Sequence, residues 1–323
     1  MREAGASPEA AAARASQSEG GDRRRHRLIG DVHKAYEESS RLLPGCWIVV
    51  RVDGRAFHRF VEVHNFARPH DRAAIGLMEA AAKAVTEEFA DIMLAYGQSD
   101  EYSFVFHKDT DIYNRRTSKF STLIASLFTS HFVLKWPSFF DTPLKLAPSF
   151  DGRAVCYPSV EMVRDYLAWR QLDCHTNCLF TTCYWTLVDR GGKTGKEADK
   201  ILNKASKGFK NELLFSEFGI NYNDLPPVFK RGTLLLKRRE QVELRTKEAT
   251  PYTPAGTPYS RTLTHVDAFH EDVAQGDFWL KHCSALFSDQ TKRIEKLETM
   301  PGDEQAASKE SPQGGAVCEH GPA

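Results

Sequence analysis

The sequence predicts an α+β fold, and three patterns in its first half support that class. A β-branched apolar run at 46–52 is typical of a buried strand. Residues 71–89 carry apolar side chains at spacings of three and four, which indicates an amphipathic helix. Two apolar runs, 92–96 and 102–106, are separated by so few residues that they predict an antiparallel hairpin.

Two further elements extend this order to β-α-β-β-α-β, the ferredoxin-like split unit. Apolar side chains between Arg115 and about Val133 predict a second long helix, and Ala154–Tyr157 predicts the fourth strand. After Pro158 the chain is predicted to be mainly helical. Its expected elements are helices over about 160–188 and 196–206, a short strand at 234–236 and a loop at 246–261.

Composition predicts four regions in the chain of 323 residues. Residues 1–30 lack apolar periodicity and end in a basic cluster, which indicates a disordered extension. A nuclear signal or an RNA-contacting arm is the alternative, and a transit peptide is disfavoured because the segment contains acidic residues. Residues 31–158 are predicted to form the first folded domain and residues 159–300 the second. Residues 301–323, rich in Gly, Pro and Glu, are expected to be a disordered tail.

Composition excludes a wholly disordered chain and a membrane-spanning helix, and the charge balance limits how the chain can bind nucleic acid. The chain is 41% hydrophobic, so it can bury a core, and it has no run of about 18 apolar residues that would span a bilayer. Its 43 basic and 43 acidic residues cancel, so nucleic-acid binding has to come from local basic patches. Seven cysteines without a visible framework are typical of a reducing compartment. We therefore expect a globular, intracellular protein, cytoplasmic or nuclear.

Two carboxylates are candidates for a metal site. Asp53 ends the first predicted strand, and Asp100 lies in the turn of the following hairpin. If the hairpin pairs with the first strand, both side chains meet at one edge of the sheet, where oxygen ligands suit Mg²⁺. Two such ions would clamp the attacking and leaving oxygens of a displacement at phosphorus. The alternative is that Asp53 caps a helix and Asp100 shapes a turn.

Residues near Asp53 and Asp100 in the sequence indicate which groups can take part in the predicted metal site. Gly54 has no side chain beside the expected metals, so its backbone carbonyl can also coordinate. Glu101 adjoins Asp100, but adjacent strand residues point to opposite faces, so one of the two is expected to face Asp53. Asp151, in a second Asp-Gly-Arg tripeptide, is interpreted as a turn residue before a strand.

Backbone and basic groups near the same edge are candidates for binding phosphate. The loop from Asp53 to His58 opens a helix, whose free N–H groups can cradle a triphosphate. Arg115, Arg116 and Lys119 fall within one turn of the second long helix. They predict a phosphate clamp, with a solvated basic helix start as the alternative.

The second half carries a cysteine cluster and several basic runs. The Cys-His-Thr-Asn-Cys run at 174–178 suggests zinc, but no second Cys/His pair stands at finger spacing. Packed helical cysteines are therefore the preferred interpretation. Basic residues that could together follow an RNA backbone are Lys204, Lys207, Lys210, Lys230, Arg231, Lys237, Arg238 and Arg239.

Several long motifs stand in order along the chain. They include Val-Arg-Val-Asp-Gly-Arg-Ala-Phe-His at 50–58, His-Asn-Phe-Ala-Arg-Pro at 64–69, Tyr-Gly-Gln-Ser-Asp-Glu-Tyr at 96–102, Arg-Thr-Ser-Lys-Phe at 116–120, Asp-Tyr-Leu-Ala-Trp-Arg-Gln at 165–171 and Lys-Asn-Glu-Leu-Leu-Phe at 210–215. In this order they resemble the tRNA-His guanylyltransferase family. The resemblance covers roughly residues 31–240.

The resemblance implies a polymerase-like palm on the ferredoxin-like unit, followed by a mainly helical C-terminal part that handles tRNA. It implies that ATP adenylylates the 5′-monophosphate of tRNA-His and that the 3′-hydroxyl of GTP then attacks this end. AMP leaves, a guanosine is added at position −1, and pyrophosphate is removed. The resemblance also implies two Mg²⁺ ions per active site and a homotetramer.

Carried over by motif, the resemblance assigns three groups of site residues. Asp53 and Asp100 hold both Mg²⁺ ions, together with the carbonyl of Gly54. The nucleotide is bound by Asp53, Gly54, Arg55, Ala56, Phe57, His58, Ser99, Asp100, Arg116 and Lys119, with Ala67 and Asp71 near the guanine base. Asp71 is alternatively a helix N-cap. Contacts with tRNA are assigned to His175, Asn177 and Lys210.

One motif departs from the family. The family's His-Ile-Asn-Asn stands here as His175-Thr176-Asn177-Cys178, and this difference bears on specificity for tRNA-His. A first rival function is a repair enzyme that extends the 5′ ends of various tRNAs. A second is a tRNA-binding protein without catalysis, which the complete set of catalytic motif residues disfavours.

Overall fold

A computed structural model describes residues 39–245 and 256–283, together with positions 29, 31–33, 35–37, 252 and 254. The two terminal regions predicted to be disordered lie almost wholly outside the described residues. Within the described part of the chain, no helix is long and apolar enough to cross a membrane.

The first half follows the predicted order of strands and helices. Its elements are β1 (Trp47–Gly54), α1 (Phe57–Val63), α2 (Arg72–Glu88), β2 (Ile92–Gln98), β3 (Glu101–Phe106), α3 (Thr117–Lys135) and β4 (Phe150–Tyr157). The first connection between strands therefore contains two helices. The cis peptide bond Arg68-Pro69 lies between them.

The strands of the first half form an antiparallel sheet in the order β4-β1-β3-β2. Alternation gives the sheet two different faces. Val50, Val52 and Phe104 enter the main hydrophobic core with side chains of α2 and α3. Glu101 and Ser103 point to the other face. The predicted α+β class, with its split β-α-β-β-α-β core, is confirmed.

The second half begins with a long helix on that other face. The first four helices of the second half are α4 (Val160–Asp189), which is the long one, α5 (Gly195–Leu202), α6 (Lys207–Phe218) and α7 (Pro227–Arg231). Ser159 caps α4 by accepting a hydrogen bond from the amide of Met162, and Thr194 forms a capping box with Glu197 at the start of α5. Helices α4, α5 and α6 share a second core that includes Leu179, Leu187, Leu202 and Leu214.

Two strands from the second half extend the sheet. β5 (Thr233–Arg245) pairs with β2, and β6 (Pro258–Phe269) pairs with β5, giving the order β4-β1-β3-β2-β5-β6. The prediction of a loop at 246–261 is wrong for residues 258–261, because they begin β6. Most of the predicted loop before residue 256 lies outside the described residues. Most of β6 is exposed, so its side chains lack the apolar alternation that would predict a strand.

The interpretation of Asp151 as a turn residue before a strand is also wrong. Asp151 lies within β4, directly opposite Asp53 of β1, and its carboxylate accepts hydrogen bonds from Arg153. The strand starts earlier than its apolar segment because backbone pairing with β1 continues to its end. A final helix, α8 (Gly276–His282), belongs to a second compact unit that begins at Asp272.

Candidate functional site

The end of β1 and the β2–β3 turn bring the two predicted carboxylate positions to one edge of the sheet. Asp53 stands opposite Glu101 in the β1–β3 register. The amide of Gly54 donates to the carbonyl oxygen of Asp100 at 3.0 Å. The strand pairing on which the predicted metal site depends is therefore present.

Gly54 lies directly against the Asp100 carboxylate. A Cβ atom at position 54 would stand 2.7 Å from Asp100 Oδ2 and 2.7 Å from the ring of Phe57. Any larger residue would push the carboxylate away, so this approach requires glycine. Burial raises the pKa of Asp100, although a hydrogen bond from Ser99 and the charge of Arg51 act in the other direction.

Asp53 is held by a neighbouring arginine. Arg51 Nη2 donates to Asp53 Oδ2, and Arg51 Nε lies 3.2 Å from Glu101 Oε2. These three side chains share the face of the sheet that packs against α4. The member of the Asp100–Glu101 pair that shares a face with Asp53 is thus Glu101, whereas Asp100 reaches the edge from the turn.

A buried ion pair fixes Glu101 to α4. Arg170 Nε donates to Glu101 Oε1 at 2.7 Å, and Arg170 Nη2 donates to Glu101 Oε2 at 3.1 Å and to Asp173 Oδ2 at 2.8 Å. Gln98 Nε2 adds bonds of 3.2 Å to Glu101 and 3.3 Å to Asp173. Both oxygens of Glu101 are therefore engaged by protein donors, so this carboxylate is not free to bind a metal ion.

A cavity of about 920 Å³ opens beside Asp100. Its carboxylate side consists of Gly54, Ser99 and Asp100. A second part, the helix wall, consists of the residues of α4 that recur on one face of the helix, namely Cys174, Asn177, Cys178, Thr181 and Trp185. The volume lies within the range of about 300–1,000 Å³ that is usual for small-molecule sites.

The loop that opens α1 contributes to the cavity with three of its residues. Ala56, Phe57 and His58 line it, and Ala56 has a left-handed backbone conformation, with φ of 53°. No side chain caps α1. The ring of Phe57 stacks on Phe60 at 4.9 Å, so this side chain serves the core. The amide of Arg55 already donates to the carbonyl of Ser149 at 2.8 Å.

Asp71 lines the cavity and also caps a helix, as the alternative interpretation predicted. Its Oδ1 accepts from the amide of Ala74 at 2.9 Å, and its Oδ2 accepts from the amide of Ala67 at 2.8 Å. Ala67 and Asp71 are thereby fixed together at the cavity surface. One carboxylate both starts α2 and shapes the loop before it.

The predicted phosphate clamp is partly wrong. Arg115 is buried before the start of α3 and donates to backbone carbonyls, including those of Thr110 at 2.7 Å and Cys46 at 2.9 Å. It therefore holds loops together and cannot reach a phosphate. Arg116 pairs with Glu37, and Lys119 is exposed near the start of α3. Neither Arg116 nor Lys119 is among the residues that line the cavity in the described part of the chain.

Comparisons with known proteins agree with this geometry. The sequence profile of a family described as "tRNAHis guanylyltransferase" matches residues 30–158, and that of its C-terminal domain matches residues 161–275. A tRNA(His) guanylyltransferase of Schizosaccharomyces pombe is 51% identical over 204 residues, which are 63% of this chain and 78% of the relative. A probable tRNA(His) guanylyltransferase of Drosophila melanogaster is 44% identical over 78% of this chain and 83% of its own length.

The chain belongs to the tRNA-His guanylyltransferase family. The crystal structure of the Saccharomyces cerevisiae member superimposes with a TM-score of 0.61 and 44% identity, covering 63% of this chain and 90% of that one. A bacterial guanylyltransferase-like protein, solved in complex with ATP, shares the fold with a TM-score of 0.58 and 23% identity. That likeness covers 78% of this chain and 96% of the bacterial one.

The residues that the guanylyltransferase resemblance assigns to tRNA have different neighbours in the helical part. His175 Nδ1 stands 3.2 Å from the hydroxyl of Tyr222, and burial, with the charges of Lys207 and Lys230, lowers the pKa of His175. Lys210 Nζ lies 5.3 Å from the centre of the Phe180 ring. Asn177 differs from these residues, because it lines the cavity and donates to Asp173 at 3.2 Å.

The cysteines of α4 are buried free thiols. Cys174, Cys178 and Cys183 are each at most 4% exposed, and burial raises the pKa of all three, to about 12 for Cys174 and about 11 for Cys183. This is the packed arrangement that sequence analysis preferred. Among the described residues, no group of three His, Cys, Asp or Glu side chains is placed to hold a metal ion.

Several residues in and around the candidate site were not assigned from the sequence. Arg170 stood in a family motif but was given no role. The alternation of side chains along β3 could have predicted that Glu101, its partner, faces α4. His70 and Phe229 line the cavity from distant segments and stack with ring centres 5.0 Å apart. Such long-range pairs leave no local pattern that sequence analysis could use.

Proposed function

We propose that this chain is a tRNA-His guanylyltransferase, which adds guanosine to the 5′ end of tRNA-His at position −1. Family membership supports the reaction, and one observation supports the location that we propose for it. The Asp100 carboxylate lies against Gly54 at the end of β1, and both residues line a cavity of nucleotide size. We take the carboxylate side of this cavity as the reaction centre.

The residues at this centre fit Mg²⁺. Asp100 and the carbonyl of Gly54 offer oxygen donors, which Mg²⁺ prefers, and Asp53 adds a carboxylate at the adjoining end of β1, although it is not among the described residues that line the cavity. Few protein ligands suffice because Mg²⁺ keeps water or phosphate oxygens. Asp100 is half-buried and its pKa is raised, the state of a carboxylate that gains from a nearby cation. When bound, two Mg²⁺ ions would neutralise charge on the phosphates and on the attacking oxygen.

The protein's own contribution is to orient these donors. Arg51 holds one oxygen of Asp53, and the buried Glu101–Arg170 pair holds Arg51 on the same face. Gly54 allows the Asp100 carboxylate to approach the strand end without a steric clash. Preformed donors of this kind lower the barrier because little reorganisation remains for the reaction itself.

The nucleotides are proposed to bind in the same cavity. ATP would adenylylate the 5′-monophosphate of the tRNA with release of pyrophosphate, and the 3′-hydroxyl of GTP would then attack the tRNA 5′ phosphorus with release of AMP. Bacterial proteins of similar fold were solved with ATP and with GTP. In this chain the loop of Ala56, Phe57 and His58 faces the cavity, and Lys119, exposed near the start of α3, would add positive charge to the triphosphate.

The tRNA is proposed to lie along the helical part. His175 is flanked by the charges of Lys207 and Lys230, and Lys210 belongs to the same helix as Lys207. Positive side chains at this surface would bind the phosphate backbone in a salt-dependent way. The homotetramer that the resemblance implies is part of this proposal, and mass measurement by light scattering tests it.

Labelled GTP tests the proposed reaction. Purified protein with MgCl₂ and ATP is given 5′-monophosphorylated tRNA-His that lacks guanosine at −1, and a parallel reaction receives tRNA-Phe. We expect label in tRNA-His alone. Label in both tRNAs would identify the broad 5′-end repair enzyme, and tRNA binding without label in either would identify a non-catalytic binding protein.

A further inference from the structure

His70 occupies a defined position in the cavity wall that no family motif assigns. It lines the cavity from the loop before α2, while its ring stacks on Phe229 of α7. Its Nε2 atom lies 3.0 Å from Thr182 Oγ1 and 3.5 Å from Cys178 Sγ, both on α4. Contacts from two separate helices, α4 and α7, therefore fix this imidazole ring at the cavity surface.

The hydrogen bonds around Thr182 determine which nitrogen of His70 carries the proton. Thr182 Oγ1 donates its proton to the carbonyl oxygen of Cys178 at 2.7 Å, so this hydroxyl has an acceptor site left for His70. The Nε2 atom of His70 is then the donor. In a neutral ring the other nitrogen, Nδ1, carries a lone pair and accepts hydrogen bonds. Within the described part of the chain, His70 Nδ1 has no hydrogen-bond partner.

The ring is neutral at physiological pH. Burial lowers the pKa of His70 to about 4, against a smaller opposing effect of the Cys178 carbonyl. The site therefore presents a fixed acceptor beside apolar groups such as Met78, Val228 and Phe229, in a cavity that also contains polar side chains such as Asp71 and Asn177. A fixed acceptor beside apolar surface suits the edge of a nucleobase.

We infer that His70 is a specificity-determining residue, whose Nδ1 accepts a hydrogen bond from the guanine base of bound GTP. The Watson–Crick edge of guanine donates from N1 and from the N2 amino group, whereas adenine donates only from its N6 amino group and has an acceptor at N1. With His70 Nδ1 opposite the N1 position, guanine gains a hydrogen bond and adenine meets a second lone pair. The ring therefore favours GTP over ATP. This inference rests on the proposed function, because it takes the cavity as the nucleotide site.

The inference gives a role to the altered motif at 175–178. Cys178 is 4% exposed and lies against His70, so the fourth position of the motif contacts the wall of the nucleotide cavity. Thr176 points away from the cavity, is exposed, and donates to the carbonyl of Leu172 at 2.9 Å. The two departures from the family pattern thus lie in different environments.

Calorimetric titration of GTP and ATP, with MgCl₂ and without tRNA, tests the inference on the full-length protein. His70→Phe keeps the ring stacked on Phe229 but removes Nδ1, so we expect GTP affinity to fall about tenfold. ATP affinity is expected to change less than about threefold, and His70→Gln, which restores an acceptor, is expected to recover most of the GTP affinity. An unchanged ratio of GTP to ATP affinity in His70→Phe would overturn the inference.

Two further comparisons keep this test decisive. If His70→Phe does not fold, Thr182→Val removes the group that fixes the tautomer and should also narrow the GTP/ATP ratio; an unchanged ratio there contradicts the inference. Cys178→Asn should weaken GTP binding at least about threefold, and Thr176→Ile, the matched control, should leave it within about twofold. Equal effects of these two variants would count against the role of Cys178. Wild-type protein that is folded but binds neither nucleotide would instead refute the proposed function.

Discussion

The carboxylate side and the helix wall of the cavity come from different kinds of structure. Gly54, Ser99 and Asp100 lie at the ends of strands that are neighbours in one sheet, so hydrogen bonds between strands position them. Cys174, Cys178 and Trp185 belong to α4, which lies much later in the sequence, and packing of α4 against the sheet brings them to the cavity. In the function proposed above, the carboxylate side supplies the chemistry, and the helix wall encloses and selects what is bound.

The largest expected effect concerns the carboxylate side. Asp53→Ala or Asp100→Ala should slow guanosine addition at least about 10³-fold, equivalent to about 4 kcal/mol, because each removes a metal-binding oxygen pair. Binding of tRNA should stay within about threefold, since the helical part is unchanged. Single-turnover kinetics and filter binding measure both. Asp151→Ala, on the strand opposite Asp53, is the matched control, and comparable loss there would contradict the assignment.

The second effect concerns the link between the two parts. Arg170→Met should lower the free energy of unfolding by about 3–5 kcal/mol, because it leaves the buried carboxylate of Glu101 without its main partner. Arg153→Met breaks an exposed pair with Asp151 and should cost about 1 kcal/mol or less. Urea denaturation monitored by circular dichroism measures the difference. Equal losses of unfolding free energy in the two variants would show that the Glu101–Arg170 ion pair stabilises the fold no more than the exposed pair does.

The third effect is a pH dependence located in the cavity wall. The pKa of His70 is lowered from its usual 6.5 to about 4, so its stabilising effect is present above pH 6.5 and is lost as the pH falls toward 4. Between pH 6.5 and 4.5 the wild type should lose roughly 2 kcal/mol more stability than His70→Gln. Denaturant titrations at both pH values test this, and parallel losses would place His70 in a solvated environment.

The smallest effect concerns the triphosphate. Lys119→Ala should raise the KM for GTP about tenfold, since a charge-assisted contact with phosphate is lost, while the KM for tRNA changes less than about twofold. Lys135→Ala, at the other end of α3, is the matched control. Steady-state kinetics with each substrate varied in turn distinguishes the two variants. A KM for GTP equal to that of Lys135→Ala would remove Lys119 from the site.

Sequence reasoning reached the carboxylate side because its information is local. The strand ending at Asp53 and the turn at Asp100 are both visible in short patterns, and antiparallel pairing then brings them to one edge. Arg115 was misassigned because left-handed residues, Tyr113 and Asn114, end the preceding turn and direct this side chain inward. The apolar periodicity that predicts the start of α3 does not reveal these left-handed residues or the inward direction of the Arg115 side chain.

The helix wall could not be predicted because its residues meet through packing of distant segments. His70 reaches Thr182, and Arg68 stacks on Trp185 with its guanidinium carbon 3.7 Å from the ring centre. Neither pair is encoded in a spacing along one element. The altered position Cys178 appeared to concern tRNA in the sequence, and its contact with His70 emerged from the fold.

Thiol alkylation tests most directly whether the carboxylate side and the helix wall form one nucleotide site. Wild-type protein is treated with N-ethylmaleimide at pH 8.5, with and without GTP and MgCl₂, and each cysteine is quantified by peptide mass spectrometry. Cys174 and Cys178 line the cavity and react slowly because burial raises their pKa; we predict that GTP slows their modification further and leaves the less buried Cys46 and Cys156 unaffected. Equal rates with and without GTP at Cys174 and Cys178, while calorimetry shows GTP bound, would contradict a shared site.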